Sequence, residues 1–252
     1  MIELNSIRQI AVVKLDHAGD VLWATPTIST LRKNFPAARL SVFCTPYTLP
    51  ALENHPAIDA LIPYDGGAYP PELPRPDLAL CLDTRTHAVK LTYSSRARIR
   101  AGYYYFPRGL SVLYPLLLLT HPFLHPASRG DFAHEVEVNQ RLLEKLGCRA
   151  EPELRTRIFL TDAEKEEAQA RLRALGYGGE PLVGLHLPLK WLDGGWPAAH
   201  VARLAQSLQT ISPESRLLVT CGPGEETLLH ELAPLLPASA LCLSALPFRI
   251  WA

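Results

Sequence analysis

Five residues, Asp16-His17-Ala18-Gly19-Asp20, stand between a run of β-formers and an apolar pattern with helical spacing. Two carboxylates and an imidazole so close together can move protons. Asp20 has two readings from position alone. At a strand-to-helix turn an aspartate caps the helix, its carboxylate accepting a backbone N–H of the first turn. Loops at the carboxyl ends of parallel strands also line the ligand crevice of α/β sheets, and a carboxylate held there can take a proton from a substrate hydroxyl. Gly19 lets the backbone approach a ligand or supplies an unusual φ. His17 and Asp20 form an H-x-x-D pair, but no further His/Cys/Asp cluster supports a metal site. The turn has one glycine where a dinucleotide fingerprint needs G-x-G-x-x-G, and there is no P-loop. Both facts argue against a nucleotide-dependent dehydrogenase or kinase.

The elements that must hold this corner alternate between strand and helix. "RQIAVVKL" is a continuous apolar run, the mark of a strand buried on both faces. A helix is expected from Val21 to Phe35, with Arg32 and Lys33 in its last turns. "ARLSVFCT", "DALIPYD", "DLALCLD" and "ARIRAGY" read as further strands, "LPALENH" as a short helix and "HAVKLTYSS" as another. Residues 109–131 read as irregular or helical, and "HEVEVNQRLLEKLG" as a helix ended by glycine. After the extended "CRAEPELRTRIFL" comes a capping box, Thr161 and Glu164, opening a helix that runs to Gly176. The alternation then restarts with "LVGLHL", a helix from Pro197, "RLLVTCG", a helix from Glu225 and "ALCLSAL". Such alternation implies parallel sheets with right-handed crossovers. We expect an α/β chain of two Rossmann-like domains facing a cleft, the second short or incomplete. The expected bounds are 1–160, a connection at 161–180, and 181–252.

Composition narrows the function classes. The chain has 252 residues, with 25 Lys+Arg against 25 Asp+Glu, so no overall field recruits nucleic acid. Five widely spaced cysteines without a CxxC argue for reduced, packed thiols. The start lacks the features of a signal peptide, and "GLSVLYPLLLLTHPFLHP" is broken by Pro115 and Pro122 and too short to span a bilayer. A cytoplasmic protein is expected, with that segment either ordinary core or loop or lying on a membrane surface.

"VVKLDHAGDVLWATPTISTLRKNFPAARLSVFCTP…ALENHPAIDALIPYD" resembles the N-terminal signature of glycosyltransferase family 9, the ADP-heptose:lipopolysaccharide heptosyltransferases. The later pieces "ARIRAGY", "HEVEVNQRLLEKLG", "VGLHLPLKWLDGGWPAAHVARLAQSL" and "LLVTCGPGEE" resemble segments of the same family. The resemblance implies a GT-B-like fold and an inverting transfer of heptose or a related sugar from a nucleotide-sugar, ADP-heptose, with no metal and no cofactor beyond that co-substrate. It implies Asp20 as general base, with His17, Gly19 and Thr25 beside it on the acceptor side. Lys190, Trp196, Gly222 and Glu225 are implied on the donor side. The implied acceptor is a lipid-linked saccharide of lipopolysaccharide core type at the inner membrane surface, with the protein peripheral there and no transmembrane segment.

The sequence departs from the family pattern twice. The lysine expected two residues before Trp196-Pro197 is Gly194, so Lys190 is the substitute, or else a surface lysine. Glu225 matches the acid after the Gly-Pro turn, or is simply an acid in the first turn of a helix. The family's Asp-Thr/Ser-Gly-x-x-His segment lies beyond the last residue. A truncated or impaired member acting as an acceptor-binding module is therefore the alternative expectation. "AGYYYFPRG", with Tyr103, Tyr104, Tyr105 and Arg108, either packs at a strand end or grips sugar rings and an anionic acceptor.

Overall fold

The computed structural model describes residues 6–106, 109–187, 190, 194–244 and 246–252. The chain divides into two compact units, the first up to Phe159 and the second from Leu160 on. Each has its own parallel sheet.

The first unit is built on β1 (Gln9–Val13), β2 (Arg39–Cys44), β3 (Ala60–Pro63), β4 (Leu78–Cys81), β5 (Ile99–Tyr104) and β6 (His121–Leu124). Their order is β3-β2-β1-β4-β5-β6, parallel throughout, with Val12 beside Val42 on one side and Leu80 on the other. The continuous apolar runs end up where that pattern requires: Ile10 to Val13 and Leu78 to Cys81 are buried along their length. The chain moves outward from β1 through β2 to β3, then returns to β4 on the other side of β1. The strand order reverses there, so the carboxyl ends of β1 and β4 frame a topological switch point, the usual place for a ligand in such sheets.

Where one helix was expected after β1 there are two, α1 (Ala18–Trp23) and α2 (Thr25–Asn34). The cause is Pro26, which has no N–H to donate to the carbonyl of Leu22 four residues back. The Thr25 hydroxyl donates to that carbonyl instead, at 2.7 Å. The helix after β4 is α3 (Thr86–Ser94). "LPALENH" forms only a single 3₁₀ turn, Leu49–Ala51.

Residues 109–131 hold more than the expected irregular or helical stretch. A 3₁₀ turn (Gly109–Val112) leads into α4 (Leu113–Leu118) and then into β6. Pro122 hides this strand in the sequence, because proline cannot donate to a sheet ladder. It is tolerated here because β6 is an edge strand. Next to it, Gly102 answers a close approach: a Cβ there would sit 2.8 Å from the Cys81 carbonyl oxygen. Helix α5 (Glu135–Lys145) completes the unit and packs on α2.

In the second unit, α6 (Asp162–Ala174) begins with the expected capping box, both reciprocal bonds being formed. Strands β7 (Leu182–Leu187), β8 (Arg216–Cys221) and β9 (Leu241–Leu243) follow in that order, all parallel. Alternate residues Leu185, Leu187, Leu217 and Val219 pack under α7 (Ala198–Ile211) and α8 (Glu226–Leu232). On the other face, α6 and the short α9 (Phe248–Trp251) flank an open cavity of about 520 Å³. Arg249 ties α9 to α6 through the same Glu164 carboxylate that closes the capping box. That pairing holds Glu164 at a pKa of about 2, first through Arg249 and then through Thr161. The five cysteines are free thiols, and burial pushes Cys44 and Cys81 up to about 12.

Candidate functional site

The carboxyl ends of β1 and β4 carry a compact charged group. Lys14, only 3% exposed, follows the last residue of β1. An ammonium so deeply buried requires partners. It has two: its Nζ donates to Asp16 Oδ2 at 2.8 Å and to the Leu82 carbonyl at 2.9 Å. The second bond joins the end of β1 to the end of β4. From the β4 side, Asp83 is buried and grips Arg85, whose Nη2 lies 2.6 Å from Asp83 Oδ2 and whose Nε and backbone N–H also donate to Asp83. The same Nη2 reaches Asp16 Oδ1 at 2.8 Å. Two cations and two carboxylates are thereby matched across the switch point.

Asp20 stands beside this group as a third carboxylate. It is the third residue of α1, and the N-cap is His17, whose side chain makes no capping bond. The capping reading of Asp20 is corrected accordingly: three helical positions are counted from Ala18, so its oxygens are not used to close the helix. No hydrogen bond or ion pair within bonding distance engages its carboxylate among the described residues. It does lie in the field of Arg85, whose pKa is raised first by the hydrogen bond to Asp83 and then by the charges of Asp83, Asp16 and Asp20.

The other expected acceptor-side residues separate. His17 and Gly19 are exposed on the same turn, and a Cβ at Gly19 would meet nothing within 4 Å, so the glycine there avoids no clash. Thr25 is 1% exposed, and its hydroxyl also accepts the Arg157 N–H at 3.2 Å. Its hydroxyl is taken up by these two bonds, which lock the α1–α2 break. Tyr103 is buried with its hydroxyl on the Val138 carbonyl, and Tyr105 stacks on His125 with ring centroids 4.0 Å apart. Strand-end packing accounts for both, while Arg108 lies outside the described residues. Lys14, Asp83 and Arg85 were missed by sequence reasoning. Their signals were a lysine interrupting an apolar run and a second polar corner, "DTR", after the β4 run.

In the second unit the loops after β7 and β8 leave the same edge of the sheet, because Leu187 and Cys221 are register partners. Lys190 is exposed and helical in the connection after β7, its carbonyl accepting the Gly194 N–H, and Trp196 is 45% exposed with its ring edge-on to His200. On the second loop Gly222 and Glu225 meet: the Gly222 N–H donates to Glu225 Oε2 at 2.8 Å, and a Cβ at 222 would sit 2.7 Å from that oxygen. Glu225 is the N-cap residue of α8 and reaches backward, so it is not the first-turn acid of the simpler reading. Among the described residues no group of three or more His, Cys, Asp or Glu could hold a metal ion.

A six-stranded parallel sheet with a charged switch point, followed by a smaller parallel sheet with its own loop edge, defines an α/β protein of the GT-B-like class. No family model matches the chain, and no curated protein matches it in sequence. Solved structures do. The glycosyl transferase family 9 protein from Veillonella parvula superposes with a TM-score of 0.73 at 18% identity, covering 94% of this chain and 70% of that one. The E. coli ADP-heptose lps heptosyltransferase II gives 0.65 at 17%, covering 94% and 72%. The E. coli heptosyltransferase WaaC with ADP-2-deoxy-2-fluoro heptose gives 0.64 at 20%, covering 95% and 76%. At these identities the likeness is one of fold.

Proposed function

We propose that this chain is an inverting glycosyltransferase of family 9 type that moves a heptose or related sugar from a nucleotide-sugar, ADP-heptose, to a lipopolysaccharide core-type saccharide. The observation that carries the reading is Asp20: a carboxylate without a bonding partner, beside an otherwise balanced charge cluster, at the switch point of a sheet whose fold is shared with heptosyltransferases. As the acceptor hydroxyl oxygen attacks the anomeric carbon, its proton passes to Asp20. The bond from that carbon to the phosphate oxygen breaks, and the nucleoside diphosphate leaves with the electron pair. Attack opposite the leaving group inverts the centre. Lys14 and Arg85 are bonded to Asp16 and Asp83, so neither cation occupies the oxygens of Asp20, which stay open to the acceptor hydroxyl. On the donor side, the exposed Lys190 offsets the developing phosphate charge. Glu225 holds the Gly222 turn in shape.

Calorimetric titration of the full chain with ADP-heptose tests this reading. Saturable binding that weakens in Lys190→Ala supports it. Absence of heat with any nucleotide-sugar contradicts it and favours an acceptor-binding module.

A further inference from the structure

Helix α4 is apolar on both sides. Pro115 is buried, and Leu118 and Leu119 pack toward the sheet. The outward side carries Leu113, Tyr114, Leu116 and Leu117, exposed by 46%, 39%, 43% and 75%. Two further exposed aromatics are Phe106, which follows β5, and Tyr93 on α3, the helix that packs on α4. A cluster of large side chains this open to water costs free energy unless something covers it.

The surrounding charge indicates what does. Between Asp83 and Asp131 the sequence has no carboxylate and seven Lys or Arg, in a chain whose charges cancel only overall. Two of these cations border the helix. Lys90 on α3 holds its Nζ 5.1 Å from the centre of the Tyr114 ring. Arg100 donates to the Leu118 carbonyl at 2.9 Å and lies 5.5 Å from the centre of the Tyr93 ring. No carboxylate pairs with either among the described residues. Exposed leucines, tyrosines at the margin and uncompensated cations form the surface that enters the headgroup region of an anionic bilayer. A second copy of the same face would bring like charges together.

We propose that α4, with Lys90 and Arg100 at its rim, docks this chain on the surface of a membrane containing anionic lipid. The helix has six residues and lies along the interface; among the described residues no helix is long and apolar enough to cross a membrane. The docking needs no sugar transfer, so it is tested apart from the reaction proposed above.

Flotation of the full chain with vesicles of phosphatidylethanolamine and phosphatidylglycerol, against vesicles of phosphatidylcholine, gives the readout. The native chain floats with the anionic vesicles and is released in part by high salt. The double variant Leu113→Ser/Leu117→Ser loses about tenfold or more of that binding, since two apolar anchors are removed. Lys90→Glu, which leaves the apolar packing alone, weakens it as well and guards against a folding defect. Failure of the native chain to float overturns the proposal, as does a double variant that floats equally well. So does a concentration-dependent dimer in sedimentation that the double variant abolishes, because the face then belongs to a second copy.

Discussion

Four of the charged residues at the switch point, Lys14, Asp16, Asp83 and Arg85, are explained by what they neutralise. Lys14 and Arg85 hold Asp16 and Asp83, and the side chain of Asp83 is only 1% exposed. Replacing Arg85 by alanine leaves that carboxylate without its cation in a dry site. We expect a loss of about 2 kcal/mol in urea unfolding, below the full cost of breaking a buried pair because Arg85 itself is partly in water. His55 gives the molecule a pH dependence. Its ring is buried against Phe159, and burial lowers its pKa to about 4, with backbone hydrogen bonding from Thr25 and from its own residue opposing the shift. The unfolded chain binds a proton near pH 6.5 that the folded chain refuses until about pH 4. Stability therefore falls as pH drops through that window, by up to about 1.4 kcal/mol per pH unit from this one group. Urea midpoints for the native chain should fall from pH 6.5 toward 4.5 more steeply than those of His55→Gln; equal slopes would remove the assignment. At this scale the sequence was a partial guide. Asp20 was visible because a polar corner followed an apolar run. Its partners were not, because Lys14 and Arg85 acquire meaning only when the β1–β4 pairing joins segments almost seventy residues apart.

At the scale of elements, the strands of high β-propensity and burial were legible from their apolar runs, and the capping box fixed the start of α6. Proline caused two of the misreadings. Pro26 splits one expected helix into α1 and α2, and Pro122 disguises the edge strand β6. In both places a neighbour makes the structure workable: the Thr25 hydroxyl at the first, the vacant side of an edge strand at the second. Thr25→Val keeps the shape of the side chain but removes the bond to Leu22, and should cost about 1 kcal/mol in thermal or urea unfolding. Gly102 is a harder constraint. A methyl group there meets both the carbonyl and the Cβ of Cys81 on the neighbouring strand. Gly102→Ala should force β4 and β5 apart and cost about 1–3 kcal/mol, with a matching loss of amide protection along β5 in hydrogen exchange.

At the scale of the whole molecule, fold and function are carried by different parts of the sequence. The fold of solved heptosyltransferases is kept at 17–20% identity, because an α/β sheet needs only the right apolar runs and crossovers. The proposed chemistry would rest on a few residues at one strand end. The overall balance of 25 cations and 25 carboxylates also hides an uneven distribution, with residues 84–130 free of carboxylates and carrying the exposed leucines of α4. Net charge alone could not reveal such a surface. The proposed reaction turns on Asp20 taking the proton of the acceptor hydroxyl. ADP release from ADP-heptose in the presence of a core-type saccharide acceptor, compared between the native chain and Asp20→Asn, tests it most directly. Turnover is expected in the native chain, with a fall in kcat of about a hundredfold or more in the variant and acceptor KM little changed. ADP release undiminished in Asp20→Asn would contradict it.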